Sequence, residues 1–190
     1  MKRMNQVILI ASFVPFCWLA MMAVHEVGHI LVGWLTGGSV TKVVLHPLAI
    51  SRTDVSPNPM PLFVVWAGPL IGVLIPLLIW AILWRFKIPG EYLARFFAGF
   101  CLIANGAYIG IGAFANIGDA GDMLRHGSTN WQLWLFGTIT IPIGFLIWHR
   151  LGPKFGLGES DGRVEAWAAY LSLGLFVVMF VSTFAISPRF

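Results

Sequence analysis

Ala20-Met21-Met22-Ala23-Val24-His25-Glu26-Val27-Gly28-His29-Ile30-Leu31-Val32-Gly33-Trp34 sets three polar side chains inside a run that is otherwise apolar. On a helix, His25 and His29 stand four residues apart and project from the same face, one turn from each other. Two imidazole nitrogens so placed can share one Zn²⁺ at about 2.1 Å. Glu26 is offset around the helix, where its carboxylate reaches a water beside the metal rather than the metal itself. Five residues thus supply two ligands and a general base. At a water-facing helix end, three polar residues would be unremarkable. At membrane depth their burial is costly, and such residues are functional by default.

The membrane setting follows from composition. Of 190 residues, 58% are hydrophobic and only 11% charged, with a mean hydropathy of +0.82. A soluble domain of this size needs far more polar side chains to cover its surface, so the solvent for much of this chain is lipid. A spanning helix takes about 20 mainly apolar residues. Spans are expected over about Asn5 to Leu35, Pro61 to Trp84, Tyr92 to Asn116, Trp131 to Trp148 and Glu165 to Ile186. The first is read as a retained helix and not a cleaved signal, because its apolar run continues through the histidine segment. Pro15 is expected to kink it.

Between the first and second spans the character changes. Ser39 to Leu45 is short and β-branched, and Ser51 to Pro59 carries Arg52, Asp54 and two prolines. This reads as a small strand pair or an interfacial loop. The expected fold is an all-α polytopic membrane protein of about five transmembrane helices, with a short β-like segment after the first. We expect a single membrane-embedded domain over 1–190, its core about 5–124, with additional helices about 131–148 and 165–186.

Other features narrow the function classes. Cys17 and Cys101 both fall in apolar stretches, which argues for lipid-facing or packing roles and against a disulfide or a CxxC metal site. The net charge of +4 comes from scattered basic residues. These look like topology signals at span ends, and no nucleic acid is expected as a partner. Gly68 and Gly72, and Gly106 and Gly110, form GxxxG pairs that permit close helix packing.

A catalytic zinc site normally needs a third protein ligand and an open position. The candidates are His46, Asp119, Asp122, His126 and His149. The two aspartates follow the small-residue-rich third span, from which a carboxylate can approach the first helix. Topology permits this meeting, since the end of the first span and the end of the third lie on one side. With a cytoplasmic N-terminus, Lys2, Arg3, Arg85, Lys87, Arg95, Arg150, Lys154 and Arg163 gather on the cytoplasmic side. Lys42, Arg52, Arg125 and Arg189 gather opposite, and this bias favours that orientation.

With these residues in view, the chain resembles the site-2 protease family of intramembrane zinc metalloproteases, and its small, minimal branch most closely. The resemblance rests on His25-Glu26-Val27-Gly28-His29, Gly37-Gly38 before the β-like segment, Ala67-Gly68-Pro69 opening the second span, and Gly118-Asp119-Ala120. It covers about Val7 to Leu124. It implies zinc held by His25, His29 and an aspartate, here Asp119 with Asp122 as the alternative, and Glu26 as the catalytic base. The segment Gly118-Asp119-Ala120-Gly121 lacks the leucine and proline that usually accompany the family's aspartate. Asn105 and Asn116 are candidates to hold the substrate backbone, with an interhelical hydrogen bond as the competing role.

The implied activity is hydrolysis of a peptide bond in or near a transmembrane segment of a membrane protein substrate, by a multi-pass protein of the cell membrane. Ser39 to Pro59 is a candidate to pair with the unwound substrate. The alternative is a non-proteolytic zinc-binding membrane scaffold or chaperone built on the same fold. The family usually has its site facing the cytoplasm, opposite to the side that the charges favour here.

Overall fold

An uninterrupted apolar run gives helix α1 (Lys2–Leu35), which continues through Pro15. Gly37, in the left-handed region at φ 80°, turns the chain out of it. The structure, a computed structural model, describes residues 2–187. Arg189, counted above among the charges, lies outside them, as does the side chain of Lys2.

After the turn come β1 (Val40–Val44) and β2 (Arg52–Val55), paired antiparallel with Lys42 opposite Asp54 and Val44 opposite Arg52. The β-like segment is thus a strand pair. Four further long apolar helices follow: α2 (Pro61–Arg85), α3 (Glu91–Ala115), α5 (Asn130–Trp148) and α6 (Ala166–Ile186). With α1, these make five helices long and apolar enough to cross a membrane, as the composition predicts. Two short 3₁₀ turns, Gly152–Phe155 and Gly158–Ser160, lie between α5 and α6.

Asp119 follows the third span on an element of its own. Asn116, at φ 54°, caps α3 in a left-handed conformation with its N–H donated to Gly112, and a separate short helix, α4 (Gly118–Arg125), begins two residues later. This break lets the aspartate double back towards α1 instead of running on past it.

Packing arranges the helices around α1. At its N-terminal half, Leu9, Phe13 and Cys17 form a core with Tyr92 and Leu93 of α3, Ala168 and Ala169 of α6, and Phe155. Gln6 donates to the carbonyls of Phe155 and Gly156 at 3.1 and 2.9 Å, fastening the 3₁₀ segment to α1. Cys17 and Cys101 are both free and buried, so their role is packing. A second core joins Val65 of α2, Ile109 and Ala113 of α3, Ala120 and Met123 of α4, and Leu133 of α5. Helices α3 and α5 meet at their glycines: a Cβ on Gly144 would lie 2.8 Å from the Gly99 carbonyl oxygen, and one on Gly137 at 2.8 Å from that of Gly106.

Helices α1 and α2 meet backbone to backbone. A Cβ on Gly28 would lie 2.8 Å from the carbonyl carbon of Ala67, 2.9 Å from Gly68 Cα, and nearer still to the Ala67 carbonyl oxygen. These atoms are backbone and cannot turn aside. Overpacking of this kind typically costs about 1–3 kcal/mol. Gly28→Ala should therefore lower the thermal unfolding temperature in detergent by several degrees. Gly174→Ala, where a Cβ meets open space, should leave it unchanged.

Candidate metal centre

Three elements converge near the C-terminal end of α1. His25 and His29 present their rings on one face of the helix, centroids 4.8 Å apart. The α3–α4 turn carries Asp119 into the gap. Its Oδ2 lies 2.7 Å from His25 Nε2 and 3.3 Å from His29 Nε2. Among the described residues, these three form a group whose donor atoms all lie within 4.8 Å of one another. Asp122 is not in it. Asp122 instead forms an ion pair with Arg125, one turn along α4, at the rim of the same cleft.

The outer nitrogens of both rings are tied down. His25 Nδ1 faces Asn105 Oδ1 at 2.7 Å, and Asn105 donates its own amide to the Cys101 carbonyl at 2.9 Å. His29 Nδ1 faces the Val64 carbonyl at 2.8 Å. Both partners are acceptors, so a proton on each Nδ1 would turn the Nε2 lone pairs inwards. That is the tautomer and orientation a metal-bound histidine needs.

The same network tests whether a cation fits. Both nitrogens of His25 face acceptor oxygens, but a neutral imidazole has one N–H to give. A cation between Nε2 and Asp119 Oδ2 satisfies both without a second ring proton. Ligands at about 2.0–2.1 Å in tetrahedral array lie about 3.3 Å apart. The His29–Asp119 separation of 3.3 Å has that value, while the His25–Asp119 separation of 2.7 Å is that of a direct hydrogen bond. Two imidazoles and one carboxylate are a donor set suited to zinc.

Glu26 stands beside this group and outside it. It is 2% exposed, and its Oε2 accepts a hydrogen bond from the Thr53 hydroxyl of β2 at 2.7 Å. A polar cleft of about 620 Å³ opens onto Glu26, His29 and Asp119, walled by β2, Tyr108, Asn58 and His126. On the other side of His25 lies an apolar groove of about 490 Å³ between α1 and α3, lined by Trp18, Met21, Met22, Ala104 and Ile111 among others.

The remaining candidates are placed as follows. Asn105 is buried against His25 and does not line the polar cleft, so it makes the interhelical hydrogen bond. Asn116 is an exposed helix cap outside it. His46 is buried with its ring 5.3 Å from Phe184 of α6, and His149 ends α5, its carbonyl accepting from Arg95. His126 reaches the cleft rim but not the three-residue group.

Three contributors escape a reading of the sequence. Thr53 belongs to no motif in the sequence. Tyr108, whose hydroxyl accepts the Asp119 N–H at 3.1 Å, carried no motif. Gly68, expected as a packing glycine and as part of the Ala67-Gly68-Pro69 segment, also makes room for the rings. A Cβ there would lie 2.7 Å from His25 Nε2 and closer still to the His29 ring. The Ala67-Gly68-Pro69 segment is the only hint that backbone must come this close.

An α-helical membrane protein with a buried His-His-Asp group and an adjacent glutamate has the makings of a metallopeptidase. The Peptidase M50B-like family matches residues 5–110, over half of the chain. The chain belongs to that family, and with it to the site-2 proteases. No curated protein and no solved structure gives a significant match. Members are generally metalloproteases, and a protease-like function in a membrane is what this membership indicates. The matched stretch ends before Asp119.

Outer partners of metal-bound histidines are typically worth about 10–100-fold in metal affinity. Asn105→Leu, which removes the acceptor at His25 Nδ1, should weaken zinc binding by that factor in a chelator competition titration. Gly68→Ala should abolish it, because the added methyl occupies the space of both rings.

Proposed function

We propose that the chain is an intramembrane zinc endopeptidase that cleaves a peptide bond in or near a transmembrane segment of another membrane protein. His25, His29 and Asp119 would hold the metal, and Glu26 would act as general base. The observation that carries this reading is the convergence of two Nε2 atoms and one carboxylate oxygen, with a second, separate carboxylate on the same cleft. We take residues 5–124 as the catalytic core and α5 and α6 as a packing frame within one membrane-embedded domain.

When bound, zinc supplies a Lewis acid that polarises a carbonyl and acidifies a water molecule. The chain's own residues do the rest. Glu26 takes a proton from the attacking water and later delivers it to the leaving amine. Thr53 occupies one of its two oxygens, which leaves the other free and fixes the plane of the carboxylate. The cleft walled by β2 admits water to a site otherwise enclosed by apolar helices. Strand β2 also lies where an unwound, extended substrate would run, with backbone groups available for pairing.

A scaffold that merely retains zinc has no use for a buried glutamate held beside the metal by a hydroxyl donor. That favours hydrolysis over the non-proteolytic reading. Glu26→Gln keeps the shape and removes the base. It should retain one equivalent of zinc while cleavage of a transmembrane reporter falls by at least about 10²-fold, the ordinary weight of general base catalysis. Zinc lost along with activity would mean that Glu26 is structural.

A second pair of variants separates the aspartates. Asp119→Ala should lose zinc and activity together. Asp122→Ala, which gives up only a rim ion pair with Arg125, should keep both within about a few-fold.

A further inference from the structure

Hydrolysis of an amide needs more than a metal and a base. As water adds, the carbonyl π pair moves onto oxygen, and a hydrogen-bond donor aimed at that oxygen is commonly worth about 10²–10³-fold in kcat. Several polar groups on the cleft are already engaged, while Ser51, Asn58 and His126 line it away from the Asp119 contact described below. Thr53 donates to Glu26, Arg52 pairs with Asp54 at 3.6 Å, and Arg125 pairs with Asp122. Asp119 and the two histidines belong to the metal group.

Tyr108 is different. Its ring stands edge-on to His25, centroids 6.0 Å apart, and its hydroxyl oxygen accepts the Asp119 N–H at 3.1 Å. Among the described hydrogen bonds it is only an acceptor, so its own proton is uncommitted. Its position is held from both sides. A Cβ on Gly118 would collide with the phenol oxygen, and Gly118 itself sits at φ 54°, a conformation that favours glycine. Tyr108 is also one of the two residues that line both the polar cleft and the apolar groove, the other being Ile50. A carbonyl arriving from the lipid side meets water there.

We propose that the Tyr108 phenol is a catalytic hydrogen-bond donor to the carbonyl oxygen of the scissile bond, and that the Asp119 N–H and the gap at Gly118 orient it. The inference rests on the protease reading above. In the reaction, the water oxygen bonds to the carbonyl carbon, the π pair goes to the carbonyl oxygen, and the water proton goes to Glu26. The C–N bond then breaks, and Glu26 passes its proton to the amine nitrogen. Tyr108 strengthens its hydrogen bond as charge builds and keeps its proton throughout.

Tyr108→Phe removes one oxygen and keeps the ring against His25. With zinc-loaded full-length protein, three quantities separate the roles: zinc affinity, reporter cleavage, and equilibrium binding of a phosphinic peptide, whose tetrahedral P–O⁻ stands for the charged oxygen. We expect zinc affinity within a few-fold of wild type, kcat lower by about 10²–10³-fold with KM little changed, and phosphinic peptide binding weaker by 10-fold or more. Equal phosphinic binding by the two proteins would overturn the proposal. So would loss of zinc in the variant, which would make the phenol a support for Asp119. A kcat defect in His126→Ala with none in Tyr108→Phe would also overturn it and move the donor to the cleft rim. Wild-type protein that binds zinc and the phosphinic peptide but cleaves no reporter fails the protease reading itself, and this assignment falls with it.

Discussion

Polar groups at membrane depth are tolerable only when each finds a partner, and here that requirement shapes the whole chain. Two imidazoles and two carboxylates lie among apolar helices with little water to solvate them. Each is answered by a group on a different element: His25 by Asn105 from α3, His29 by the Val64 carbonyl from α2, Glu26 by Thr53 from β2, and Asp119 of α4 by the two rings of α1. No two of Asn105, Val64, Thr53 and Asp119 are close in sequence. The requirement to bring them together explains why α2 must press against α1 without an intervening side chain, and why α3 must end in a left-handed cap.

Glycine serves this end in two distinct ways. At Gly28 and Gly68 it removes side chains from a contact where backbone meets backbone or backbone meets imidazole. At Gly118 and Asn116 positive φ values turn the chain sharply, so that a helix leaving the membrane can reverse towards the site. In α3, by contrast, Gly99 and Gly106 serve packing against α5 alone. The same residue type thus works at the metal centre and in the frame, and composition does not tell the two apart.

The large features were legible because they rest on local physics. Runs of about 20 apolar residues can only be buried or lipid-facing helices, and all five spans lie within a few residues of their expected limits. The strand pair was signalled by Val40, Thr41, Val43 and Val44 against flanking glycine and proline. His25, Glu26 and His29 were legible because i and i+4 spacing fixes their relation without any tertiary contact. Asp119 could be narrowed only by resemblance, since a carboxylate's approach from another helix leaves no spacing signal. Thr53, Asn105 and Tyr108 depend wholly on long-range packing. Asn105 lies eighty residues from its histidine, and nothing local distinguishes it from an ordinary interhelical asparagine.

Val27 stands between the paired residues of the site but points outward, 46% exposed where its neighbours are buried. It occupies the same helical turn as His25 and His29. A reporter at residue 27 would therefore sit in the surrounding lipid at nearly the same height as the buried triad. The depth of the His25–His29–Asp119 group below the headgroups can thus be gauged from outside the protein without touching any of the three residues. Bilayer depth thereby becomes a coordinate of the group: what is read at residue 27 is the height of the three side chains behind it.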